Sequence, residues 1–201
     1  MTKLVDLFNK YNGAAAFSVI GYAVNNHGTR VLQYAVDNNF ELINHTMNHK
    51  DVTNLSYEEI EEDIMGCQNL IKKTMNYDMK FVRTGGLSTS DNLYKVTTDL
   101  NMPVLGSGGV ATLDYDPNTT DEHVKNALLN TYDGRIVLLH CGNCVTARYD
   151  DNGDTWIKML DGILADLYSQ GYRFVTPSEL YKYKGIDNIP TDHTLVDSNV
   201  Q

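Results

Sequence analysis

The sequence predicts an α/β protein built on a parallel sheet, open or closed into a barrel. Two observations predict it. Short β-branched apolar runs alternate with amphipathic helical stretches over most of the chain. Chemically capable side chains also stand directly after several of those runs, at the strand ends where such folds place their sites.

The elements follow in order. Residues 2–12 have helical periodicity, and 14–21 (AAAFSVIG) read as a buried strand. Residues 27–39 are a helix and 40–44 (FELIN) a strand. Residues 55–76 form a long helix, with Ser56 and Glu59 at capping-box spacing. MKFV (79–82) is a strand and 90–101 a helix with Ser90 as N-cap. PVLGSG (103–108) and GVAT (109–112) give one or two short strands. Residues 119–132 are a helix, with Thr119 and Glu122 again at capping-box spacing. RIVLL (135–139) is a strand, 154–170 a helix closed by Gly171, and YRFV (172–175) the last strand. A short helix follows Pro177. No repeat or low-complexity linker interrupts the pattern, so residues 1–184 read as one domain and 185–201 as a polar, loosely held tail.

Charge and composition exclude several classes. A net charge of -10 does not suit a nucleic-acid or anionic membrane surface. No apolar run approaches the roughly 20 residues of a spanning helix. Met1 opens onto an amphipathic, charged pattern unlike a signal peptide. The chain then reads as cytosolic, or as the mature part of an exported precursor. Three cysteines do not make a disulfide framework.

Four constellations carry candidate chemistry. His45 and His49 stand four apart after FELIN, a spacing that suits two ligands of one metal ion, although two polar loop residues would look the same. His140 follows RIVLL and is either a core histidine or a general acid titrating near neutrality. Cys141 and Cys144 form a C-x-x-C, which raises a thiol redox reading. About ten residues separate Cys144 from the next helical pattern, so no helix N-terminus activates the first thiol. Residues 103–111 match a glycine-rich dinucleotide fingerprint, but Pro117 and turn formers follow instead of the required helix. YDDNGD (149–154) lacks the spacing and closing Glu of a calcium loop.

These residues, in this order, resemble the polysaccharide deacetylase family, the NodB-homology domains of carbohydrate esterase family 4. NHTMNHKDV is similar to the family segment H-[ST]-x-x-x-H, which implies that His45 and His49 ligate a divalent metal, with zinc the expected ion. FVRTGGL stands where the family has R-x-P-[YF]-G, so Arg83 matches the arginine that orients a catalytic aspartate. Asp114 and Tyr115 lie where the family has an Asp-Trp pair in the substrate groove. RIVLLH resembles the last motif, which makes Leu138 a wall of the acetyl pocket and His140 the general acid. The resemblance implies a distorted (β/α) barrel of seven or eight strands and hydrolysis of N- or O-acetyl groups on chitin, peptidoglycan or xylan. It also implies an extracellular or cell-envelope setting.

The departures shape the expectations. The family opens with a strand carrying T-F-D-D-G, whose aspartates serve as base and third metal ligand, and no such motif is in this sequence. Asp51 is the nearest carboxylate in sequence to replace the base. Gly85 and Gly86 replace Pro and the aromatic residue, and Ala111 replaces an aspartate. The resemblance therefore leaves open a degenerate domain that binds carbohydrate without hydrolysing it. A barrel short of one strand would also expose strand edges, which invite pairing with a second copy of the chain.

Overall fold

The computed structural model describes residues 1–107, 112–141, 153–186, 189, 191 and 194–195. They fall into two compact units, one of residues 1–14 and 107–175, the other of residues 15–106 and 176–196.

The second unit carries the sheet. β1 (Ala16–Val19) and β2 (Glu41–Asn44) pair in parallel, Ala16 opposite Glu41 and Val19 opposite Asn44. Val82 bridges Asn44 on one side and Val104 of β3 (Val104–Leu105) on the other. β3 then pairs with β4 (Thr194–Leu195), so part of the expected loose tail joins the sheet. All of β2 is buried, as a strand covered on both faces should be.

The strand expected at MKFV contracts to the single residue Val82. Val82 N–H donates to Pro103 O and Leu105 N–H to Val82 O. One step back the ladder would need a donor from Pro103, which has no N–H, so pairing stops there.

Helices α2 (Asn26–Asp37), α3 (Tyr57–Met75), α4 (Asp91–Asp99) and α7 (Pro177–Tyr183) belong to this unit. The Ser56–Glu59 capping box forms at the start of α3, and Ser90 caps α4 by accepting from Leu93 N–H. Along α3, Ile60, Ile64, Cys67 and Ile71 repeat at helical spacing and are fully buried.

The first unit is helical among the described residues. α1 (Thr2–Lys10), α5 (Asp121–Leu129) and α6 (Asp154–Ser169) enclose a core that includes Leu7, Val124, Leu128, Trp156, Leu160 and Ile163. Three expectations change here. α5 is capped by Thr120, whose Oγ1 accepts from His123 N–H, because Thr119 N–H is drawn into the preceding turn at Asp116 O. RIVLL and YRFV form no ladder among the described residues; Leu139 and Phe174 pack against the helical core instead. GVAT lies outside the described residues except for Thr112.

Candidate functional site

The histidine loop is built on the end of β2. Asn44 is fully buried and its side chain works in both directions: Nδ2 donates to Ile64 O, and Oδ1 accepts from Thr46 N–H, each at 2.9 Å. Thr46 and His49 both take positive φ, +60° and +55°. For a β-branched residue that is a strained conformation, which persists only where surrounding bonds enforce it. Here His49 N–H donates to Thr46 Oγ1 at 3.0 Å, and Tyr22 N–H to Met47 O at 2.9 Å.

The result brings the two imidazoles together edge to face, with centroids 4.6 Å apart. His45 Nδ1 lies 2.7 Å from Arg83 O. A carbonyl only accepts, so Nδ1 carries a proton, and in the neutral ring that leaves the lone pair on Nε2, the tautomer a metal ligand needs.

Arg83 follows Val82 and is 7% exposed. Its guanidinium meets only neutral acceptors: Leu105 O at 3.1 Å, Gly106 O at 2.7 Å and Ser18 Oγ at 3.4 Å. Burial alone pushes its pKa down to about 10. No carboxylate among the described residues faces this cation. Asp51 is engaged elsewhere, accepting from Thr53 Oγ1 at 2.6 Å and Thr53 N–H at 2.8 Å. Those bonds, the hydroxyl's first, hold its pKa below the usual value.

Gly85 lies against the same loop. A Cβ there would stand 2.7 Å from His49 O. Gly85 departs from a family proline, and its small size permits this close approach.

The other group belongs to the first unit. Asp114 is 0% exposed, and its Oδ1 lies 2.8 Å from His140 Nδ1 while its Oδ2 accepts from His140 N–H at 2.6 Å. Thr112 Oγ1 lies 2.9 Å from Asp114 Oδ1 and 3.2 Å from Leu138 O. Burial pushes the Asp114 pKa up, but the bonds from His140 and Thr112, with the His140 charge, outweigh it and leave it lowered. Tyr115 presents its ring to His140, centroids 4.8 Å apart. Asp114, expected in the substrate groove, thus spends its carboxylate on His140.

Cys67 is buried, and that burial pushes its thiol up to about 12, which makes it a packing residue. Cys141 is exposed, while Cys144 lies outside the described residues, as does Ala111.

A sequence profile described as polysaccharide deacetylase matches residues 1–105. The chain belongs to the polysaccharide deacetylase family. A peptidoglycan-N-acetylglucosamine deacetylase of Bacillus cereus is 33% identical over 182 residues, covering 90% of this chain and 82% of that protein. A bifunctional xylanase/deacetylase of Pseudobutyrivibrio xylanivorans is 30% identical over all 201 residues, yet the chain spans only 31% of that protein. Among solved structures, a family 4 acetyl xylan esterase from Clostridium thermocellum, in complex with a cobalt ion, superposes with a TM-score of 0.83. It is 27% identical, and the match covers 99% of this chain and 92% of that one. The fold expected of a NodB-type domain, a distorted (β/α) barrel, is the fold these likenesses show.

The residues fit a divalent ion in part. Two imidazoles, one with its tautomer fixed, are borderline donors suited to such a metal. Among the described residues no group of three or more His, Cys, Asp or Glu side chains gathers around one point. Sequence reasoning missed Asp114 as the partner of His140, since the two lie 26 positions apart and only folding joins them. It also missed Asp63 of α3, which holds the histidine loop.

Proposed function

We propose that this chain carries the histidine metal site and the general acid of a metal-dependent deacetylase that removes N- or O-acetyl groups from a polysaccharide, with xylan and peptidoglycan the favoured polymers. The observation that carries the proposal is the histidine pair, held 4.6 Å apart with the His45 tautomer set by Arg83 O.

His45 and His49 would hold the ion, zinc by expectation. When bound, such an ion polarises the acetyl carbonyl and makes water more acidic. Arg83 would seat a carboxylate of the fused Asp-Asp strand tested below and keep it ionised as the base. A cation desolvated among neutral acceptors is strongly attractive to such a group. His140 would protonate the departing amine or alcohol from Nε2, and Asp114 would orient the ring through Nδ1. Leu138 and Tyr115 would contact the acetyl group and the sugar.

Zinc titration of the parent and of His45→Ala tests the metal site. Weak, chelator-sensitive uptake by the parent and its loss in the variant are expected. Equal uptake would place the metal elsewhere. Residues 1–201 alone should deacetylate near background, and a fused strand with an Asp-Asp pair should restore turnover. In that fusion His140→Ala should then lower turnover by ~10²–10⁴. A second reading, carbohydrate binding without hydrolysis, is favoured by the lack of an acidic partner for Arg83 among the described residues. It predicts retained oligosaccharide binding and no turnover in the fusion.

A further inference from the structure

We propose that Asp63 is a positioning residue that holds His45 and His49 in metal-binding geometry, an inference that rests on the metal reading above. Asp63 lies in α3 and is 5% exposed. It grips the histidine loop twice. Its main-chain carbonyl accepts from Met47 N–H at 2.8 Å, and its Oδ1 accepts from Asn48 Nδ2. Met47 and Asn48 are two of the three residues that separate the histidines. The neighbouring Ile64 carbonyl accepts from Asn44, and Gly66 sits close under Met47, where a Cβ would lie 3.4 Å from the Met47 side chain. One face of α3 is therefore the bed on which the loop rests.

Two features separate this from ordinary packing. The loop carries strain at Thr46, which relaxes unless the surroundings hold it. Asp63 Oδ2, meanwhile, is buried with no hydrogen-bond partner among the described residues. A buried carboxyl with half its capacity unused is a poor device for stability, and an apolar residue of similar size would serve the fold as well or better. What such a replacement would lose is the side-chain hold on Asn48. Groups that orient metal ligands from behind typically change affinity by 10–100-fold when removed.

Co2+ titration followed by its visible absorption band, on residues 1–201, tests the role. Asp63→Leu should weaken Co2+ binding about tenfold or more and alter the band, with the metal-free urea midpoint kept or raised. Asp63→Asn retains an acceptor for Asn48 and should stay near the parent. Parent-like affinity and spectrum in Asp63→Leu would overturn the proposal. If that variant does not fold, Asn48→Ala removes the same bond from the exposed side. Weaker Co2+ binding there supports the role, and unchanged binding overturns it. A parent chain that takes up no Co2+ would sink the metal reading and this role together, whereas equal binding by parent and variants sinks this role alone.

Discussion

Replacing Arg83 by methionine should leave the protein as stable as before or make it more stable. The expectation comes from what surrounds the guanidinium. It is 7% exposed, it meets two carbonyls and one hydroxyl, and burial lowers its pKa to about 10 from an ordinary value above 12. A depression of that size corresponds to about 3 kcal/mol held against the fold. A base with a lowered folded pKa is penalised in full below that pKa and relieved only as pH rises beyond it, so the penalty is complete at pH 7. Against it stand the bonds to Leu105 O and Gly106 O, worth ~1 kcal/mol each. Methionine fills similar volume without charge, so the net gain is about 1 kcal/mol. Urea unfolding of the parent and Arg83→Met at pH 7 measures it. In a second arm, acetate replaces chloride at equal ionic strength; it should stabilise the parent and not the variant. A loss of more than ~2 kcal/mol in Arg83→Met would refute the reasoning, because the bonds would then outweigh the charge.

Other substitutions probe the remaining parts. Asp114→Asn should cost about 1–3 kcal/mol, since an amide cannot accept both bonds from His140; nitrogen NMR of the imidazole should show the Nδ1 proton lost to Nε2. The parent should lose stability as pH falls below ~4, through the lowered Asp114 pKa, because the unfolded carboxyl binds its proton first. Asp114→Asn should lack that part of the acid limb in a pH series of urea midpoints, and an unchanged limb would assign it to other carboxyls. Gly85→Ala should cost ~1–3 kcal/mol, because its Cβ must push back the His49 carbonyl. It should weaken Co2+ binding in the same titration, and retained binding would show that the loop yields without moving the imidazole.

Elements with their own local signals were legible in the sequence. Ser56 and Glu59 announce the start of α3 because both halves of the capping box lie within four residues. Ile60, Ile64, Cys67 and Ile71 show its buried stripe by spacing alone. RIVLL and YRFV have the composition of strands, and composition reports what a segment can bury. A strand also needs a neighbour offering backbone donors and acceptors at the right register, and no run of residues carries that information about itself. MKFV fails for a related reason, with the cause displaced to Pro103, more than 20 positions away.

The site divides along the same line. As candidates, His45, His49, Arg83 and His140 are visible because of their residue types and their place at or near the ends of apolar runs. The residues that make them usable were not. Asp114 is legible by resemblance as a groove residue, but not as the carboxyl that takes both the ring and the backbone N–H of His140. Asp63 looks like one acid among several on a charged helix, as Glu61 and Glu62 beside it are. Only its burial, its bond to Asn48 and an oxygen without a partner among the described residues set it apart. Both carboxyls are buried at the expense of hydration, and stability alone does not repay that. A buried acid whose bonds end on a loop or ring bearing the chemistry is therefore a better guide to function here than acidity or spacing. By that criterion Asp63, bonded to the His45–His49 loop, and Asp114, bonded to His140, are candidates of the same standing as the histidines.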